Sequence, residues 1–215
     1  MMPNFTELTD KNSDITLKKG PFSSLKNKAT HQHFIIHKPW GMISQFVNPA
    51  KRKKRLLGEL YDFPIGTMAI GRLDVASEGL LLLTTDGKIS EEIRSTKFEK
   101  EYYVQVDGNI NEIAVEKLKK GVEIGFDGKK YLTKPGKASF IKDPKFPLRS
   151  QKIRDERHGP TSWISITIRE GKFRQVRKMT AAVGFPTLRL IRIRIGTIEL
   201  EDLKVGEVIK VSSLL

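Results

Sequence analysis

The chain has 215 residues, 38% hydrophobic and 30% charged, which is enough apolar chain for a core and too much for wholesale disorder. It has no cysteine, which excludes disulfides, thiolate metal sites and Cys nucleophiles. Lys plus Arg (39) exceed Asp plus Glu (25) by +14, a surplus that implies a polyanionic partner, nucleic acid before an acidic membrane surface.

Residues 1–30 show no sustained strand or helix period and are rich in Lys, Thr, Ser and Asn. They read as a mobile basic tail with no signal-peptide core. The longest apolar run in the chain, Leu80–Leu83, is far short of a bilayer span. A soluble, cytoplasmic protein is expected, ordered from His31 onward. His33–His37 reads as a strand ended by Pro39 and Gly41. Lys51–Arg55 is a cationic run, either a solvated loop or a loop on nucleic-acid phosphates. Thr67–Ile70 and Leu80–Thr85 read as strands around a glycine-bounded loop, Gly71–Gly79. Lys88–Arg94 can form a short helix, and Tyr102–Val106 a strand ending at Asp107-Gly108. Asn111 caps a helix over Glu112–Lys120 that stops at Gly121. Val122–Phe126 and Lys130–Thr133 form a hairpin about Asp127-Gly128. Residues 142–160, with three prolines and many charges, read as a long loop. Trp163–Arg169 is a strand, Arg174–Val183 a helix, and Leu188–Ile195 a half-buried strand with a basic face. Glu207–Val211 is the last strand. Strands outnumber helices and short turns join them, which predicts an α+β fold with a largely antiparallel sheet.

Three groups of residues could carry chemistry. Residues 172–194 hold Lys172, Arg174, Arg177, Lys178, Arg189, Arg192 and Arg194 and no acid. At helical spacing Arg174, Arg177 and Lys178 share a face, and Arg192 and Arg194 share one side of a strand. Such a helix and strand predict a phosphate-binding groove. Asp74 sits on the tight Gly71–Gly79 loop. It either bonds the turn backbone or is an aimed nucleophile or acid/base, and spacing leaves both open. His31, His33 and His37 point one way along a strand but have no carboxylate at ligand spacing, so a wet strand start is the expectation. No Walker A motif and no Gly-x-Gly-x-x-Gly opening a helix is present.

Taken together these segments resemble a known family. Gly71-Arg72-Leu73-Asp74 followed by Ser77–Thr84 is similar to the signature loop of the RsuA-type ribosomal RNA pseudouridine synthases. His37-Lys38-Pro39-Trp40-Gly41 resembles the preceding Asn-Lys-Pro-x-Gly stretch, and Lys100–Val104 the Lys-x-Tyr strand. Glu170–Met179 and Val183–Arg192 resemble the third motif and the segment after it. The match runs in order over residues 31–212. Phe173 and His37 stand where Asn is common in the family.

The resemblance implies a pseudouridine synthase fold, with two halves around a shared mixed sheet and an RNA cleft between them. It implies isomerisation of a uridine in RNA, without metal or redox cofactor. Asp74 matches the catalytic aspartate, Arg177 the arginine that pairs with it, and Tyr102 the tyrosine that packs on the uracil and helps remove the carbon 5 proton. Arg72 matches the residue that fills the gap left by the flipped base. Lys172, Arg174, Lys178 and Arg192 are expected on RNA, and Leu190 in the base pocket. With only about 30 residues before the match, no accessory N-terminal RNA-binding domain is expected over 1–30, and 31–215 is the catalytic domain. This resembles the stand-alone RluE-like branch, whose expected partner is 23S rRNA or a large-subunit precursor, for a monomer off the membrane. The competing expectations are a non-catalytic RNA-binding assembly factor and a synthase acting on small-subunit rRNA.

Overall fold

The structure is a computed structural model that describes residues 31–48, 53–149, 151, 153 and 156–215. The expected tail, and Lys51 and Arg52 of the cationic run, lie outside the described residues. Residues His31–Leu215 form one compact unit.

Strand β1 (His33–Lys38) is followed by β2 (Met68–Ala69) and β3 (Glu78–Thr84). All seven positions of β3 are buried, as an unbroken apolar strand covered on both faces requires. Strand alternation divides its leucines. Leu81 and Leu83 pack with Phe34, Ile36 and Val104 in one core; Leu80 and Leu82 pack with Ile93, Ile191 and Ile195 in a second. Helix α1 (Gly87–Arg94) starts at Asp86, whose carboxylate accepts from the amides of Lys88 and Ile89. Strand β4 (Lys100–Asp107) buries its even positions and half-buries its odd ones. Helix α2 (Glu112–Lys120) is capped by Asn111 and ends at Gly121, as its sequence predicts. Strands β5 (Glu123–Phe126) and β6 (Lys129–Leu132) form a separate hairpin. Strand β7 (Lys137–Ile141) is not foreseen from sequence, because it is short and only Ala138 of its five residues is buried, which leaves a weak apolar signal. Then come β8 (Thr161–Ile168), α3 (Gln175–Ala182), β9 (Thr187–Ile195), β10 (Ile198–Glu199) and β11 (Val208–Val211).

Among the described residues one nine-stranded sheet runs β11-β1-β3-β9-β4-β8-β7, with β2 beside β3 and β10 beside β9. Its pairings are antiparallel except β3 with β9. This is the mixed, mostly antiparallel α+β sheet expected. The parallel contact is short: Glu78 lies opposite Ile191 and Gly79 opposite Arg192. Gly79 has φ +101°, and a Cβ there would lie 2.3 Å from the Arg192 carbonyl oxygen. Only glycine permits that approach.

The basic face predicted for β9 is corrected by the structure. The strand pairs with β4 through two register shifts, so its arginines leave a simple alternation. Arg189 forms a buried pair with Glu78, and Arg194 bonds Glu99 and Glu101. The acids come from segments distant in sequence, so a local count of charge could not see them.

Candidate active site

The Gly71–Gly79 loop is fastened along its backbone. Every carbonyl from Leu73 to Ser77 has a donor. The Ser44 hydroxyl donates to Leu73 (2.9 Å), and the Ser77 amide to Asp74 (2.9 Å). The Gly41 amide donates to Val75 (2.8 Å), the Arg177 Nη2 to Ala76 (2.7 Å), and the Lys38 Nζ to Ser77 (2.8 Å). Buried carbonyls without partners are costly, so a fully partnered loop has one low-energy shape. Lys38 is completely buried and also donates to the Pro39 carbonyl. Burial lowers its pKa to about 7, against the attraction of Glu78 and Asp74.

This frame presents Asp74. Its Oδ2 accepts from Arg174 Nη1 at 3.2 Å and lies 3.9 Å from Arg177 Nε. Its Oδ1 has no hydrogen bond among the described residues. Arg177 is a brace as much as a counter-ion: its Nη2 also reaches the Ser77 hydroxyl, and its Nη1 the Thr187 carbonyl. Burial lowers the Arg177 pKa, and Arg174 beside it acts in the same sense, against Asp74. Arg174 precedes the first turn of α3 in a left-handed conformation, φ 53°. A non-glycine residue there carries strain of about 1–3 kcal/mol. Arg174 therefore leaves the helical register, and the single face expected for Arg174, Arg177 and Lys178 does not exist. Arg174 and Arg177 turn to Asp74, whereas Lys178 donates to the Gly125 carbonyl on the β5–β6 hairpin.

Asp74 opens on a cavity of about 240 Å³. Of the residues singled out in the sequence, Arg72, Asp74, Tyr102, Lys172, Arg174, Leu190 and Arg192 line it. Arg177 and Lys178 do not; they stand behind it and beside it. Tyr102 is an even position of β4 and faces the cavity. Tyr103 points to the other side of the sheet, where its ring lies 6.3 Å from that of Phe146. Arg72 is exposed and makes no ion pair among the described residues. Arg192 is a wall residue and no surface arm: it is 5% exposed, its Nε donates to the Leu80 carbonyl, and its Nη2 is buried without a hydrogen-bond partner among the described residues. Lys100 lines the same wall, and burial, with Arg192 and Arg169, lowers its pKa to about 8. The cavity thus joins an apolar interior (Ile70, Ile168, Leu190) to a cationic wall and one open carboxylate. The second carboxylate on its lining, Glu170, is already used. Its oxygens accept from Tyr131, Lys134 and Gln175.

Sequence reasoning missed Lys38, Ser44, Lys100 and Glu170. Lys38, Lys100 and Glu170 lie within the motif segments, so position was a signal, though not one of role. The histidines have other partners: His33 bonds the Thr84 hydroxyl, and His37 the Leu203 carbonyl. Burial lowers the pKa of both. Among the described residues no three His, Asp or Glu are grouped to hold a metal, and no helix is long and apolar enough to cross a membrane.

Residues 32–182 match the family model described as RNA pseudouridylate synthase. The chain is 43% identical over 183 residues to a ribosomal large subunit pseudouridine synthase E of Vibrio vulnificus (strain CMCP6), covering 83% of this chain and 74% of that one. It is 39% identical over 173 residues to the protein of the same name from Xanthomonas axonopodis pv. citri (strain 306), covering 79% and 88%. A crystal structure of a pseudouridylate synthase superposes with a TM-score of 0.67 at 30% identity, covering 84% of this chain and 70% of that one. With the fold, the loop that carries Asp74 and these likenesses in agreement, the chain belongs to the RNA pseudouridylate synthase family.

Proposed function

We propose that this protein isomerises one uridine of large-subunit ribosomal RNA to pseudouridine. The observation that carries the reading is Asp74: one oxygen held by arginine, the other without a hydrogen bond among the described residues, on a fastened loop facing a base-sized cavity. Relatives named for large-subunit rRNA support the substrate class.

The reaction conserves every atom. The bond from uracil nitrogen 1 to the sugar breaks, the ring turns, and carbon 5 bonds to the same sugar carbon. Carbon 5 then loses its proton, and nitrogen 1 gains one. The target must leave its stack, and Arg72 at the cavity mouth would take its place in the RNA. Tyr102 and Leu190 would pack on the uracil, and Tyr102 would assist the loss of the carbon 5 proton. Asp74 acts on the flipped nucleotide through its free oxygen, aimed by Arg174 and Arg177. Lys172 and Lys178 would hold phosphates near the cavity. Arg192 lends positive potential from the wall. The same reading expects a cytoplasmic monomer.

The test is pseudouridine mapping of large- and small-subunit rRNA by carbodiimide chemistry and primer extension, with and without the gene. One large-subunit stop should vanish on deletion and return with the wild type, but not with Asp74→Asn. A lost small-subunit stop would overturn the substrate, and no lost stop would overturn the reading.

A further inference from the structure

Phe173 is 66% exposed, immediately before the strained Arg174. Nothing in the proposed chemistry uses it. Its surroundings are organised. Lys178 Nζ lies 5.5 Å above the Phe173 ring and 5.9 Å above that of Phe126, while donating to the Gly125 carbonyl. Lys172 Nζ sits 4.9 Å above Phe126 and 5.1 Å above Tyr131. A two-stranded hairpin is marginal alone, yet β5–β6 is tied to the cavity by the Tyr131 hydroxyl, which donates to Glu170. The hairpin, the two lysines and Phe173 therefore form one surface. It is continuous with the active cavity through Lys172, Arg174 and Glu170, which line it.

We propose that Phe173 is a stacking platform for an unpaired nucleobase of the RNA that flanks the target uridine, with Lys172 and Lys178 on the adjoining phosphates. This rests on the RNA-modifying reading above. Charge selects the occupant. An exposed apolar ring among amines suits a partner that brings a flat π-face and negative charge together, which is single-stranded nucleic acid. Phe173 stands where Asn is common in the family the sequence resembles.

Stacking and charge separate by salt dependence, because stacking releases no counterions. Phe173→Ala should raise KM for in vitro transcribed large-subunit rRNA about tenfold, with kcat within about twofold. It should weaken RNA binding at every salt concentration and leave the slope of log K against log salt unchanged. Lys172→Gln should instead reduce that slope by about 1. Phe173→Trp should keep wild-type KM, and its added fluorescence should be quenched by single-stranded RNA but not by heparin, a polyanion without bases. An unchanged KM in Phe173→Ala, a fall confined to kcat, or equal quenching by heparin would each overturn the platform. Wild-type protein that forms no pseudouridine, while Phe173→Ala still weakens RNA binding and RNA still quenches Phe173→Trp, would sink the enzymatic reading and leave the platform standing.

Discussion

Asp74 and Glu78 stand four residues apart on one segment, and each faces arginine. Glu78 is closed: Arg189 bonds both its oxygens, at 3.0 and 2.8 Å, and the two side chains are 2% and 6% exposed. Asp74 is open: arginines reach only Oδ2, and its side chain is 24% exposed. Glu78 and Arg189 join β3 to β9 where the sheet has just two paired residues. The same chemistry therefore serves two ends. A carboxylate with both oxygens consumed holds strands together; one with an oxygen left over at a cavity can act on a substrate.

The largest expected effect that tests this contrast is on turnover. Asp74→Asn should cut pseudouridine formation by about 10²–10⁴-fold or more, while thermal unfolding stays where it was. Glu78→Ala should do the reverse in kind. It strands the buried Arg189 guanidinium and should cost about 3–5 kcal/mol, a melting point lower by roughly 10 °C. Replacing both partners, as in Glu78→Leu with Arg189→Met, should recover much of that loss. A melting point sensitive to Asp74→Asn and indifferent to Glu78→Ala would break the comparison.

A smaller effect separates the two arginines on Asp74. Arg177→Lys loses the fork that spans Ala76, Ser77 and Thr187, so kcat should fall about tenfold as the loop loosens. Arg174→Lys keeps a charge at an exposed position, and steady-state kinetics should show mainly a few-fold rise in KM.

The smallest is a pH effect at Lys38. In the fold Lys38 gives up its proton above about pH 7, whereas the unfolded chain keeps it to about 10.5. The unfolded state then binds more protons, so this group's contribution to stability rises with pH across that window. Below pH 7 both states are protonated and the contribution is flat. Between pH 6 and 8 the wild type should gain about 1 kcal/mol relative to Lys38→Met in urea unfolding. A difference that falls with pH would place the amine's charge outside the buried frame.

Much of the scaffold is written in local pattern. Asn111 and Gly121 bound α2 as a capping side chain and a positive-φ stop must. Asp127-Gly128 turns the hairpin, and the Leu80–Leu83 run marks the doubly covered strand. The alternation in β4 put Tyr102 and Tyr103 on opposite faces, and the structure shows which one meets the cavity. Strand β7 was illegible because its stability comes from pairing with β8, not from its own apolar residues. At the site, motif order pointed to Asp74, Tyr102 and Arg177, and the structure brings Asp74 and Tyr102 to one cavity with Arg177 behind it, but the local count overstated the basic groove. Arg189 and Arg194 have acids 93 residues or more away in sequence, and no window of charge counting spans that distance.

The sequence by itself determined the class, most of the elements and the residue types expected for the chemistry, because caps, turns and strand alternation are near-neighbour properties of the chain. Only the tertiary structure decided which charges are spent and which are free. That depends on long-range strand pairing, which buries Arg189 against Glu78, fastens five successive carbonyls of the Asp74 loop, and leaves Asp74 on the cavity lining with one oxygen that makes no hydrogen bond among the described residues.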